Sequence, residues 1–283
     1  MSDARERTIS TSALTDQLVV GARLVPHPGR TSRAARIVER NVLSYRRMWP
    51  AFVSGIFEPA FFLFSLGVGL GPLVGALEGP GGRELAYADF VAPGLLAAAA
   101  MNGALFDATF GLFFKLKYAK TYEAILSTPL EIEDIALGEV AWSMIRGAIY
   151  SGLFVLVMAL QGTISSWWGL LVWPAAMLVA LAFAAAGMAG ASYMRGWQDF
   201  DYLQLILLPL FLFSTTFYPL STYPPALQLV VQLSPLFHGV ELVRSLAVGV
   251  GGPGLLLHVA VLLGLAVGGL WVVRRRLHVL LIS

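Results

Sequence analysis

The sequence predicts an all-α integral membrane protein with six transmembrane helices, both termini on the cytoplasmic side. Three observations predict it. Of its 283 residues 57% are apolar and only 13% charged, with mean hydropathy +0.74, where soluble domains carry roughly 25% charged residues. Six apolar stretches reach the roughly 20 residues a spanning helix needs. Seventeen of the nineteen Lys and Arg residues fall on one side of the resulting topology, and only Arg83 and Arg244 on the other, which sets the orientation by the positive-inside rule.

Residues 1–32 are polar and poor in aromatics, and are expected to be a disordered cytoplasmic tail. They contain charged residues but no apolar core, so they are not a secretory signal peptide. Residues 33–49, RAARIVERNVLSYRRMW, place Val38, Val42, Tyr45 and Trp49 at helical spacing, with Arg33, Arg36, Arg40, Arg46 and Arg47 on the polar surface. Flanking positive charge explains the arginines but not the periodicity. The pattern predicts an amphipathic helix lying on the cytoplasmic membrane interface, in contact with lipid.

The transmembrane domain, 50–283, follows. Its spans are predicted at about 50–75, 89–113, 139–161, 168–193, 202–220 and 254–273, the fifth closed by Pro219. The segment 224–249 is only moderately apolar and Pro235 divides it into halves too short to span. It reads as an external re-entrant pair of half-helices, since non-spanning backbone at membrane depth must be buried in protein or line water. A seventh span here would put Arg274, Arg275 and Arg276 outside. Small residues in 182–192 permit close helix packing.

Between spans two and three lies a dense polar block, YAKTYEAILSTPLEIEDIALGE. A short helix is predicted over 120–127, with Tyr122, Ile125 and Leu126 on one face and Glu123 beside them. Pro129 ends it, because the residue before proline is pushed out of the α region. Carboxylates in Glu131–Glu139 suit the positive start of the next helix. An apolar face turned to water must be covered, and the residues alone leave two readings open: lipid headgroups, or a cytoplasmic partner protein.

Four stretches carry a resemblance: FEPAFFLFSLGVGLG (57–71), KTYEAILSTPLEIEDIALGEVAW (120–142), LLPLFLFSTTFYPLSTYPPALQ (207–228) and LSPLFHGVELVRSL (233–246). In this order they resemble the permease subunit of ABC-2-type exporters, within them the group exporting nodulation lipo-oligosaccharides and anthracycline drugs such as daunorubicin. The resemblance implies a bacterial plasma-membrane permease that pairs with a second copy or a paralogue. It implies a coupling helix made by Lys120, Tyr122, Glu123, Ile125, Leu126 and Pro129, docked on an ABC ATPase subunit that carries ATP and Mg. The cargo it implies is amphiphilic: a lipid-linked glycan, a lipid or a hydrophobic drug.

The chain itself is not expected to be an enzyme. It has no G-x-x-x-x-G-K-[ST] loop to cradle phosphates, so ATP hydrolysis is assigned to a separate chain. It has no cysteine, which removes disulfides and zinc-thiolate sites. His27, His238, His258 and His278 are scattered, and no metal site or cofactor is expected on the chain. The basic residues are placed by topology, so nucleic acid is not an expected partner. Asp199 and Asp201 form a D-x-D in the turn before span five, which suits a helix N-cap and lacks the nucleotide-binding domain a transferase would need. Ionisable groups within spans are expensive and point to function. Glu58, Asp107, His238, Glu241 and Arg244 are therefore candidate pathway or gate residues. Glu58 and Asp107 also support an alternative, a proton-coupled secondary transporter, although each can equally pair internally. Glu241 and Arg244, at i and i+3, are expected to pair with each other.

Overall fold

A computed structural model of the protein describes residues 30–45 and 49–282, with side chains for 33–45, 57 and 60–281. Residues 1–29 of the predicted tail, Arg46 and Arg47 lie outside the described residues, as does the side chain of Glu58, while 30–32, expected in the disordered tail, begin the first helix. The described chain is helical apart from one small hairpin. In order it contains α1 (Arg30–Tyr45), α2 (Trp49–Gly69), the antiparallel strands β1 (Ala76–Glu78) and β2 (Glu84–Ala86), α3 (Tyr87–Phe106), a π turn (Asp107–Gly111) and α4 (Leu112–Lys117). Then come α5 (Thr121–Leu126), α6 (Ile132–Leu160), α7 (Val172–Ala191), α8 (Asp199–Leu212), α9 (Pro225–Leu233), α10 (Pro235–Val248) and α11 (Gly254–Ile282).

Among the described residues, four helical stretches are long and apolar enough to cross a membrane: Tyr87–Lys117, Ile132–Leu160, Trp167–Ala191 and Gly254–Leu281. The pair α9–α10, bent by 87°, would make a fifth if taken as one span. The 21 residues of α2 reach about 31 Å at 1.5 Å per residue, and within it Ala60–Gly69 is a shorter apolar helix. The stretch 202–220 differs from its predicted form. Its helix α8 has 14 residues and stops at Leu212, about 21 Å long. Beyond it Thr215 takes a positive φ of 57°, and Ser214, Thr215 and Thr216 turn inward with no measurable exposure. The chain leaves the helix here because tertiary partners take up these groups, not because Pro219 interrupts it.

The most buried span is α3, with 78% of its apolar window inside the protein against 22% for α11. Helices α6, α7 and α10 surround it, and α11 packs on the far side of α7. Small residues set these approaches. A Cβ at Gly269 would stand 2.6 Å from the Ala185 backbone, one at Gly147 2.7 Å from the Ala180 Cβ, and one at Gly94 2.9 Å from the Thr216 Cα. The small residues of 182–191 thus serve packing inside the protomer.

The two ends of the bundle differ. One carries α1, α5 and the arginines of α11; the other carries the β-hairpin, the turn Trp167–Leu171 and the α9–α10 corner. Arg83 on the hairpin donates to the Val248 carbonyl at 2.8 Å, and the Ser165 N–H bonds to the Ala247 carbonyl. At the arginine end α1 lies along α6, seated by Ile37 and Asn41, which are buried, while Val42 and Leu43 face outward. A Cβ at Gly138 would stand only 2.6 Å from the Ile37 Cβ. Gly138→Val is therefore expected to lift α1 from α6 and lower stability by about 1–3 kcal/mol, the range for overpacking. Faster proteolysis within α1 and a lower melting temperature in detergent would show it.

Candidate functional site

Among the described residues three polar assemblies interrupt the apolar packing, and most of the predicted site residues whose side chains are described fall into or beside them. The first joins α1, α4, α5 and α6. Helix α5 starts from Lys120 in a left-handed turn, φ 45°, after the N–H groups of Tyr118 and Ala119 have both bonded to the Phe114 carbonyl. Tyr122 then points inward, 1% exposed, and Ile125 and Leu126 pack on the main core. This corrects the expectation that lipid headgroups or a cytoplasmic partner cover the face of Tyr122, Ile125 and Leu126. The protein covers that face itself, because the adjoining α4–α6 junction offers apolar surface at no cost in ordering a second chain. What remains exposed is the opposite face, Glu123, Ala124, Ser127, Thr128 and Pro129, with Lys120 and Glu123 paired at 3.6 Å.

Under α5 sits Glu139, nearly buried. Its carboxylate accepts from Lys115 at 2.6 Å and from the Asn41 amide at 3.2 Å, with Arg40 at 3.8 Å. Burial first, and then this carboxylate, raises the Tyr122 phenol well above its ordinary pKa. Glu131 and Asp134 form a reciprocal capping box at the start of α6, and Arg33 of α1 reaches both, at 3.3 and 3.9 Å. Glu133 holds Arg274 and His278 of α11 at 3.3 and 3.2 Å. The carboxylates of the polar block are thus clasps that gather α1, α4, α6 and α11. Among the described residues Arg36 pairs with Glu39, in solvent.

The second assembly closes one end of a cleft of about 650 Å³ between α2, α3, α6 and α8. Phe62, Leu95, Phe106, Leu207 and Phe211 supply apolar walls, and Asn102, Gln204, Arg146 and Tyr150 the polar groups. Asp107, 2% exposed, stands in the π turn and accepts from Arg146 at 3.1 Å and from the Tyr45 hydroxyl. Arg146 also donates to the Tyr150 hydroxyl at 3.4 Å and lies 5.2 Å from the centre of the Tyr45 ring. Burial, reinforced by Asp107, lifts the Tyr45 phenol above the usual range. The π turn makes this possible: single-turn π bulges re-aim a helix face, and here Gly111 leaves space for the carboxylate, since a Cβ there would stand 2.8 Å from Asp107 Oδ1. A concave, mostly apolar site with a few placed polar groups is the usual form of a binding pocket for an amphiphile.

The third assembly is a knot at the hairpin end. Arg244, 1% exposed, donates to Glu241 at 2.6 Å, to the Thr215 carbonyl at 2.6 Å and to the Phe90 carbonyl at 3.1 Å. Its guanidinium carbon sits 3.9 Å from the centre of the Phe90 ring. The Thr215 hydroxyl donates to Glu241 at 2.9 Å. The expected Glu241–Arg244 pair is present, and it ties α10 to α3 and to the end of α8. His238, a candidate gate residue, meets His258 with their Nδ1 atoms 2.8 Å apart, a pairing that corrects the expectation of scattered histidines. No spacing rule links residues on two helices separated by a corner, so only their shared presence on apolar helices signalled them.

Asp199 and Asp201 are not brought to the cleft. Gln198 occupies the N-cap position, and Asp199 accepts from the N–H groups of Arg195 and Gly196 at 2.5 and 3.2 Å, which lowers its pKa. Its work is to hold the turn before α8. Among the described residues no three His, Asp or Glu side chains gather as a metal site would require.

Residues 34–248 match the family described as ABC-2 type transporter. The chain is 31% identical to Nodulation protein J of Neorhizobium galegae over 226 residues, which is 79% of this chain and 84% of that protein. It is 33% identical to Nodulation protein J of Sinorhizobium fredii (strain NBRC 101917 / NGR234), again over 226 residues, 79% and 84% of the two chains. It is 23% identical to the Inner membrane transport permease YadH of Escherichia coli (strain K12) over 207 residues, 71% of this chain and 77% of that one.

Proposed function

The chain belongs to the ABC-2 type transporter family, whose members are membrane transport components, and from that premise we propose that it is the permease subunit of an ATP-driven exporter. ATP and Mg are bound and hydrolysed on a separate ABC ATPase. Two permeases pair, and the amphiphilic cargo is a lipid-linked glycan, a lipid or a hydrophobic drug. Six spans, with α2 as the first and the short α8 as the fifth, put both termini in the cytoplasm of a bacterial plasma membrane. Helix α1 lies at the headgroups, and α9–α10 re-enters from outside. The seventeen-to-two distribution of basic residues supports this orientation, and the similarity to an inner membrane transport permease of E. coli supports the membrane assigned.

The observation that carries the reading is the mounting of α5. Its inner face is fixed through Tyr122 beside the Glu139 clasp, while Glu123, Ser127 and Pro129 stand clear. A rigidly mounted helix with a free outer face passes on a push; a helix lying loosely on headgroups does not. ATP binding would favour one arrangement of the paired ATPases, and α5 would carry that preference through Glu139 to α1, α4 and α6, since a ligand shifts an equilibrium only by its differential affinity. The cleft beneath Arg146 is the place for the cargo. The pairing of Asp107 with Arg146 weakens the alternative of a proton-coupled transporter, because a proton-carrying carboxylate must exchange its partner.

The test is co-purification of tagged protein with the ATPase encoded beside it. Glu123→Arg with Ser127→Arg, both outward-facing, is expected to reduce recovered ATPase at least ~10-fold, equivalent to about 1.4 kcal/mol, with the permease still monodisperse. Unchanged recovery, or no ATPase with the wild type in any detergent, refutes the coupling role of α5.

A further inference from the structure

We propose that His238 and His258 form a proton-controlled clasp between α10 and α11. Their rings lie 5.1 Å apart with planes inclined at 52°. Nδ1 faces Nδ1 at 2.8 Å, so one nitrogen must donate while the other accepts. Three charge states follow. A neutral pair holds an ordinary hydrogen bond. One added proton charges the donor ring at its far nitrogen and makes the bond charge-assisted and stronger. A second added proton sets two N–H groups head to head on two cations, and attraction becomes repulsion. Imidazole is the one side chain whose unperturbed pKa, about 6.5, puts this sequence in the mildly acidic range.

The surroundings isolate the pair. Phe237 stands edge-on to both rings, at 5.4 and 6.1 Å, and His238 also bonds to the backbone of Gln232 at the end of α9. The charged group that acts on His258 is Glu241, one turn along α10. That carboxylate is already held by Arg244 and the Thr215 hydroxyl. From the other elements packed on α10, α7, α9 and the turn Trp167–Leu171 contribute no ionisable side chain. The hairpin contributes Glu78, Arg83 and Glu84, and α3 contributes Tyr87 and Asp89 at the same end. Arg83 is occupied by the Val248 carbonyl, and none of these makes an ion pair with either histidine among the described residues. On the α11 side His258 is the one ionisable group before Arg274. With α10 anchored to α3 through Arg244, loss of the clasp frees the seam between α10 and α11 and leaves the knot in place.

The absence of cysteine from the chain makes site-directed spin labelling direct. Labels at the exposed positions Leu233→Cys, on the α9–α10 corner, and Leu256→Cys, on α11, report the width of the seam. Measured in nanodiscs, where both faces meet the same buffer, the outcome does not depend on the orientation proposed above. Between pH 7.5 and 4.5 the population at the longer label distance relative to that at the shorter one is expected to rise at least ~10-fold in the otherwise wild-type protein. With His258→Gln or, separately, His238→Gln added, it is expected to stay flat. A wild-type distance that does not change with pH overturns the clasp. So does a transition that survives in both variants, which would assign it to Glu241 or another carboxylate.

Discussion

Arg244→Leu is expected to destabilise the protein by about 3–5 kcal/mol, the range for removing one partner of a buried ion pair. The side chain is buried and makes three hydrogen bonds, at 2.6, 2.6 and 3.1 Å. Leucine fills part of the volume but leaves Glu241 without its cation and removes the side-chain donor from the carbonyls of Thr215 and Phe90. The Thr215 carbonyl lies in non-helical backbone outside α8, so the loss is felt most there. Arg244→Lys should fall between, because a single ammonium nitrogen keeps the charge but cannot span the acceptors that Arg244 reaches from three separate nitrogens. Adding Glu241→Gln to Arg244→Leu should recover part of the loss by removing the stranded charge. Thermal unfolding in detergent, followed by the fraction remaining monodisperse, separates the three variants. Equal melting temperatures for Arg244→Leu and wild type would show that the knot does not hold α10 in place.

The second large effect belongs to Asp107. Asp107→Ala is expected to lose about 3–5 kcal/mol, since it leaves the Arg146 guanidinium, 7% exposed, facing a vacated carboxylate site beside the cleft. The paired change Asp107→Leu with Arg146→Met replaces the ion pair by apolar groups of similar size and is expected to restore most of that stability. Cargo-dependent activity should not return with it, if the cleft receives the polar part of the cargo at Arg146. Melting curves and transport in reconstituted vesicles read the two consequences separately. Recovery of both stability and transport would remove Arg146 from any role in recognition.

These expectations rest on contacts of different legibility. The membrane class, the basic asymmetry and the apolar stretches could be read directly, because hydropathy and charge act residue by residue and need no partner. The break between α9 and α10 was readable from Pro235, and the Glu241–Arg244 pair from its i, i+3 spacing, since both are local. The orientation of α5 was not. The pattern of Tyr122, Ile125 and Leu126 reveals an apolar face but not what covers it, and the cover lies on the junction with α4 and α6. The length of α8 was misjudged for a related reason. Residues 213–218 are apolar enough to continue a helix, but Thr215 and Thr216 find partners in Arg244 and at Gly94, which only packing supplies.

The amino-acid sequence by itself determined that this chain lives in a membrane, where its helices lie along the chain, and which family motifs it carries. Those properties are sums over neighbouring residues. The tertiary structure decided which carboxylates are clasps, which face of α5 is free, that Asp107 meets Arg146 across a π turn, and that two histidines twenty positions apart meet Nδ1 to Nδ1. Each of these depends on buried polar groups finding partners, and in an apolar interior that requirement is met by whichever helix packing brings near, at any distance along the chain.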